Sequence, residues 1–598
     1  MEKQRIEGMG AILHSKGVAF RVWAPHAEQV FVTGTFNEWN ENELELSSED
    51  NGYWYIDVEE AKAGDEYKFV LFINDGKKLL KNDPYAKALT NSVGNSIVVD
   101  PHFDWEDEQF QMPLWNELII YEIHVGTFNA PQRDMPGNFK SVVKKIPHLQ
   151  NLGINAIQIM PPMEFPGDFS WGYNPSYPFA IEESYGGVSD FKVLINEAHK
   201  AGIAVILDVV YNHFGPDDMD LWRFDGWYEN DKGGIYFYND WRSKTPWGDT
   251  RPDYGRDEVK QYLRDNAMMW LEEFHVDGLR LDATAFIRNT DGENNSKDKD
   301  IDEGWAFMQW INREIKEHSS EKITIAEDLW SNAWLTRSTD DGGAGFSSQW
   351  DKQFVDLIRK NIIIQNDDDR NLEEIKEEVY RQIDNDPFSR IIYTESHDET
   401  ANGNARLPEE IWPGNVDSWF SRKRSVLGAA VVFTSVGIPM LFQGQEFLED
   451  RWFHDRDPLD WNLADQYNGL VRLYKDLIAL RRNLNNTSCG LTGANVEVHH
   501  LNNQDKLMAF HRWHEGGPKD SVVVVINFRN QSFDSYVVGL PAAGEWQVRF
   551  NSDWKGYDEE FTDNYTGTLQ AEEGKTDGMS NYASLSIGPY TVLILSQD

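Results

Sequence analysis

The stretch Val276-Asp-Gly-Leu-Arg-Leu-Asp-Ala283 carries the first decision about this chain. It reads as a short strand: Val276, Leu279 and Leu281 are apolar, and Gly278 lets a neighbouring backbone come close. Side chains alternate faces along a strand, so Arg280 and Asp282 point the same way. A carboxylate held beside a guanidinium stays ionised near neutral pH, as a carboxylate nucleophile must. A structural ion pair at a strand end has the same local pattern, so the surroundings have to decide.

Outward from it, residues 106–489 alternate strand-like and helix-like segments. Apolar runs at 119–125, 154–160, 203–210, 276–283, 323–329, 391–395 and 438–442 are separated by amphipathic stretches such as FKVLINEAHKAG. That rhythm predicts a parallel (β/α)8 TIM barrel, with the weakly marked sixth strand inside 349–357. Chemistry in such barrels sits at the C-terminal strand ends, which is where Asp208, Asp282, Glu327 and Asp398 fall. Residues 214–273 read as an enlarged, irregular loop after the third strand, a common contributor to a site.

Residues 1–105 and 490–598 read as β-sandwich domains on either side of the barrel. The chain has 598 residues and a formal net charge of −44, a surface that repels nucleic acid and anionic membranes. Its one cysteine, Cys489, excludes an internal disulfide, and no apolar run is long enough to span a bilayer. With no secretory h-region visible, the expected setting is cytoplasmic. The oligomeric state is not legible.

Four stretches then fall in one order: Asp208-Val-Val-Tyr-Asn-His213, Gly278-Leu-Arg-Leu-Asp282, Ile325-Ala-Glu-Asp328 and Glu395-Ser-His-Asp398. Together they resemble the four signature regions of the α-amylase superfamily, a far more specific signal than any one alone. The resemblance implies Asp282 as nucleophile, Glu327 as general acid/base and Asp398 as the third carboxylate, gripping the 2- and 3-hydroxyls of the reacting glucose. It implies Arg280 beside the nucleophile, His213 and His397 as hydrogen-bonding partners of that sugar, and Tyr173 in Trp171-Gly-Tyr173 as the platform beneath it. Asp208 and Asn212 match residues that brace the site. Asn212 corresponds to a calcium ligand in many relatives, yet branching enzymes often lack that ion, so neither metal nor cofactor is expected. His124, in Tyr121-Glu-Ile-His124, reads equally as a site or a core histidine.

The N-terminal pieces Phe20-Arg-Val-Trp-Ala-Pro25, Gly34-Thr-Phe-Asn-Glu-Trp39 and Asn82-Asp-Pro-Tyr85 resemble the carbohydrate-binding sandwich that precedes the barrel in branching and debranching enzymes. Trp39 and Trp54 are candidates for stacking on glucan, with core packing as the competing reading. The resemblance leans toward a 1,4-α-glucan branching enzyme acting on amylose, starch or glycogen. Tyr211-Asn212 and the 276–283 stretch instead look like a maltooligosyltrehalose trehalohydrolase, which keeps an α-1,4-glucan hydrolase as the alternative. A non-catalytic glucan-binding protein is the remote one, because such relatives typically lose a catalytic carboxylate.

Overall fold

The computed structural model describes residues 5–564 and 567–598. Its centre is a closed barrel of eight parallel strands: Ile120–Ile123, Ala156–Ile159, Ala204–Val209, Gly278–Leu281, Ile323–Ala326, Ser348–Trp350, Arg390–Ile392 and Ile438–Phe442. The sixth strand begins one residue before the expected window and is three residues long, too short to show a period in sequence. The barrel interior is filled by Ile120, Ala156, Ala204, Ile206, Ile325, Ile391 and Met440. Outside, helix Gly187–Lys200 is typical: Phe191, Leu194, Ile195 and Ala198 recur at helical spacing and are buried. Burying each of the three larger side chains, Phe191, Leu194 and Ile195, contributes about 1.5–3 kcal/mol.

The segment expected to be irregular over 214–273 is so only as far as 256. Residues Asp257–Met268 form an α-helix that runs on through a π-helical turn, Met269–Glu273. Its apolar stripe, Val259, Tyr262, Leu263 and Ala267, is interrupted by many polar residues, which hid the period.

Before the barrel, two antiparallel sheets pack into a sandwich. One holds Gly10–His14, Gly17–Trp23, Tyr53–Val58 and Ser47–Ser48; the other is built on Gln29–Gly34, Glu66–Ile73 and Lys77–Lys81. Trp54 belongs to its core: it is 9% exposed, and its indole N–H donates to the Ala24 carbonyl at 3.0 Å. Its neighbours leave no face for a sugar, so the reading of Trp54 as a stacking residue is corrected. Trp39 is half-buried in a turn where Glu38 and Trp39 both take positive φ. After helix Asn468–Arg481 an eight-stranded antiparallel sheet begins at Asn495–Asn502 and completes the chain. Among the described residues, no helix is long and apolar enough to cross a membrane.

Candidate active site

The barrel register assembles the site. The third and fourth strands place Asp208 opposite Arg280, and the fourth and fifth place Leu281 opposite Ala326. Asp282 and Glu327 therefore leave adjacent strands side by side. Gly278 makes the close approach possible, since a Cβ there would sit 2.4 Å from Ile323 Cγ1. After Asp282 the backbone turns through Ala283, at φ +41°, and the Ala283 N–H donates to Glu327 at 2.6 Å.

Arg280 is fully buried and ties three carboxylates together. Its Nη1 donates to both oxygens of Asp208 at 2.7 Å and to Asp282 at 3.1 Å, while Nη2 lies 3.2 Å from Glu327. Asn212 Nδ2 donates to both the carboxylate and the backbone carbonyl of Asp282 at 2.8 Å.

Arg280 favours the ionised form of Asp282, and burial opposes it. Burial is the largest influence on Asp282 and outweighs the guanidinium, pushing the carboxyl up to about 8. Burial also raises Glu327, against the pull of Arg280 and with Asp398 adding repulsion. The physical outcome is a close, desolvated carboxyl pair that retains a proton around neutrality. Asp208, buried likewise, is pushed up to about 6 despite Arg280.

The far wall carries the ring cluster. Tyr173 stacks on His397 with ring centres 4.9 Å apart, and its hydroxyl donates to Asp208 at 2.7 Å. Trp171 meets the same imidazole edge-on at 5.9 Å. His397 is buried; desolvation opposes its charge, but Asp398 and Glu122 outweigh it and raise the imidazole to about 9. Asp398 stands at the mouth, its side chain 46% exposed. His213 is pushed down to about 3 by burial and is therefore neutral. Its Nδ1 bonds the Asn212 carbonyl oxygen, and its ring stacks on Trp247 at 4.4 Å. With that oxygen engaged and its amide nitrogen on Asp282, Asn212 does not fit a calcium ligand here.

The structure thus brings Asp208, Asn212, His213, Tyr173, Arg280, Asp282, Glu327 and His397 into one bonded cluster, with Trp171 and Asp398 around it. A cavity of about 530 Å³ opens over them, lined by Trp171, Tyr173, Asp282, Glu327, His397 and Asp398. Sequence reasoning missed Glu122, whose carboxylate accepts from His397 Nδ1 at 2.6 Å and from its backbone N–H at 3.1 Å. It also missed Trp247, Phe286 and Asn402, which line the same cavity. Glu122 lies in a strand whose other residues are apolar or aromatic, and that buried charge was the available signal. His124 is a core histidine: its ring nitrogens engage Thr127, at 3.0 Å, and the Ser170 carbonyl, at 2.8 Å.

Comparisons with known proteins agree with this architecture. Residues 8–86 match carbohydrate-binding module 48 (isoamylase N-terminal domain), 122–240 and 220–467 the α-amylase catalytic domain, and 498–598 the α-amylase C-terminal all-β domain. A 1,4-α-glucan branching enzyme of Pseudoalteromonas atlantica is 31% identical over 583 residues, covering 90% of this chain and 76% of that protein. One from Oceanobacillus iheyensis is 28% identical, covering 97% and 93%. Among solved structures, the pullulanase of Anoxybacillus sp. LM18-11 complexed with maltotetraose superposes with a TM-score of 0.75 at 21% identity, covering 99% of this chain and 88% of that one. The pullulanase of Bacillus acidopullulyticus gives 0.74 at 21%, covering 100% and 76%.

Proposed function

The chain belongs to the α-amylase family, glycoside hydrolase family 13, and from that premise we propose that it is a 1,4-α-glucan branching enzyme working with retention through a covalent glycosyl-enzyme. The observation that carries the mechanism is Arg280, whose one guanidinium reaches Asp282 and Glu327 together. Two carboxyls on adjacent strand ends, both within reach of one guanidinium, support the short separation of retaining enzymes, about 5–5.5 Å.

In this reading the pair holds one proton. That proton rests on Glu327, and Asp282 carries the charge, supported by Arg280 and one Asn212 bond to its carboxylate, and attacks the anomeric carbon. Glu327 protonates the leaving glycosidic oxygen and is left ionised. A glucan 6-hydroxyl then gives its proton to Glu327 while its oxygen displaces Asp282, forming the α-1,6 branch. Tyr173 and Trp171 supply the flat surface for the reacting glucose, and His397, His213 and Asp398 its hydroxyl contacts. Asp208 locks Arg280 and Tyr173 in place.

Transfer, as against hydrolysis, is supported by branching-enzyme relatives that align along nearly the whole chain. The test is incubation with amylose. Branching lowers iodine staining with few new reducing ends and yields short chains on debranching; abundant reducing ends would assign a hydrolase instead.

A further inference from the structure

The loop after the third barrel strand touches both the N-terminal sandwich and the catalytic cavity. Its first part, residues 218–227, is bonded to the sandwich through aspartates. Asp218 accepts from the Ser92 hydroxyl at 3.1 Å, and Asp220 from the Asn82 backbone N–H at 2.8 Å. The Asp225 side chain is wholly buried and takes three bonds: His26 Nδ1–H at 2.7 Å, and the backbone N–H groups of His26 and Trp227 at 3.0 and 3.1 Å. A carboxylate only accepts, so His26 carries a ring proton on Nδ1. The same imidazole stacks on Trp227, with ring centres 4.8 Å apart and planes 7° from parallel. A buried charge is costly to leave unpaired, so this contact resists being pulled apart.

The second part of the loop walls the cavity. Trp247 lines it and stacks on His213. The two parts are locked together. The Arg223 backbone N–H donates to the Gly233 carbonyl at 2.7 Å, and its Nε to the Lys232 carbonyl at 3.0 Å. Gly234, at φ +85°, lies so close to Trp227 that a Cβ there would sit 2.4 Å from the Trp227 carbonyl oxygen. Lys232 Nζ in turn reaches Asp249, two residues beyond Trp247, at 2.9 Å. Next in the chain, the Thr250 hydroxyl donates to the Phe214 carbonyl at 2.6 Å, beside His213.

We propose that His26 and Asp225 are positioning residues through which the N-terminal module clamps this loop and sets Trp247 against His213. The module is then part of the wall around the reacting sugar, in addition to any surface it offers to polymer, a role that rests on the functional reading above. Releasing the clamp lets the loop visit positions that do not bind sugar. Apparent affinity falls with the fraction of molecules whose loop is in place. A molecule with sugar bound has its loop in place and reacts at the usual rate. The signature is a raised KM at nearly constant kcat, on short and long glucans alike.

The test assays the full chain on maltoheptaose and on amylose. His26→Ala removes the ring and keeps the backbone N–H; His26→Asn supplies an amide N–H in place of Nδ1–H. His26→Ala is expected to raise KM several-fold on both substrates, and His26→Asn to restore most of the affinity. Because the clamp acts through Trp247, adding His26→Ala to Trp247→Ala should raise KM little further, whereas independent effects would multiply. Backbone hydrogen exchange over 213–215 and 245–251 should quicken in His26→Ala, a readout that needs no substrate. A lower melting temperature with KM unchanged on both substrates overturns the proposal in favour of a merely structural contact. A KM raised on amylose alone overturns it in favour of polymer binding by the module. Multiplying effects, or unchanged exchange, overturn it too. A parent inactive on every glucan whose exchange still quickens in His26→Ala removes the functional reading and leaves the clamp standing.

Discussion

Glu122→Gln asks how His397 keeps its charge in the middle of the site. Glu122 is fully buried and takes two hydrogen bonds from His397, the ring Nδ1–H at 2.6 Å and the backbone N–H at 3.1 Å. Burial alone would depress the imidazole, yet with Asp398 and Glu122 beside it the value is about 9. A hydrogen bond involving a charged group contributes about 1.5–3 kcal/mol, and one pKa unit corresponds to about 1.36 kcal/mol. Replacing the carboxylate by an amide keeps an acceptor but removes the charge. His397 should therefore fall by about one to two units, to about 7–8. The linkage has a definite sign. A histidine raised in the folded state stabilises fully below its unfolded value of about 6.5, and that contribution is lost as pH rises through the folded value. In the parent the loss runs up to about 9. In the variant it should be complete about one to two units lower, and the contribution at low pH should be smaller. The assay is a 13C-histidine NMR titration, with His397 assigned by the signal lost in His397→Gln, together with melting curves across pH. If His397 in Glu122→Gln still titrates near the parental value, Asp398 alone holds the charge and the reasoning fails.

Four further outcomes are expected. Asp282→Asn keeps shape but removes the attacking charge, and activity on amylose should drop by several orders of magnitude at an unchanged melting temperature; near-normal turnover would remove Asp282 from the role. The pH profile of kcat/KM should be a bell, because the Asp282–Glu327 pair must hold one proton; with both carboxyls raised and Asp282 at about 8, its limbs should lie above those of ordinary carboxylates, and a profile centred at pH 4 would contradict the burial argument. Trp54→Ala should cost about 3–5 kcal/mol as a core truncation, whereas Trp39→Ala should spare stability and lower amylose binding relative to maltooligosaccharides; equal destabilisation by both would make Trp39 packing too. Buried Glu164 and Glu182 are raised to about 9 and about 7, chiefly by desolvation, so the folded chain holds protons there that the unfolded chain has released and stability falls as pH rises from about 4.3 through those values; Glu164→Gln should flatten the alkaline loss of melting temperature, and an unaltered slope would exclude the pair as its cause.

Much of the site was legible because its residues sit in short contiguous motifs. Arg280 and Asp282 are two apart on one strand, and Asn212 and His213 are neighbours, so local geometry already constrains what they can touch. The barrel was legible for a similar reason: a strand of four to six apolar residues and a helix with a buried stripe leave a period in the chain. Where the period was short the reading was only approximate, and where it was interrupted it failed. The three-residue strand Ser348–Trp350 is too brief to announce itself, and helix Asp257–Met268 carries enough polar residues to pass for loop.

The amino-acid order by itself determined the strand–helix succession, the flanking β-rich regions and the carboxylates that end the strands, because each depends on neighbours close in the chain. Only the tertiary structure decided how those groups are charged and what surrounds them. Glu122 reaches His397 across 275 residues, and Trp247 covers His213 from a loop with no period. Burial, a property of the whole packed barrel, outweighs the adjacent Arg280 in setting Asp282. Desolvation and long-range contact sum over atoms that closing the barrel brings together, so no local stretch of sequence contains them.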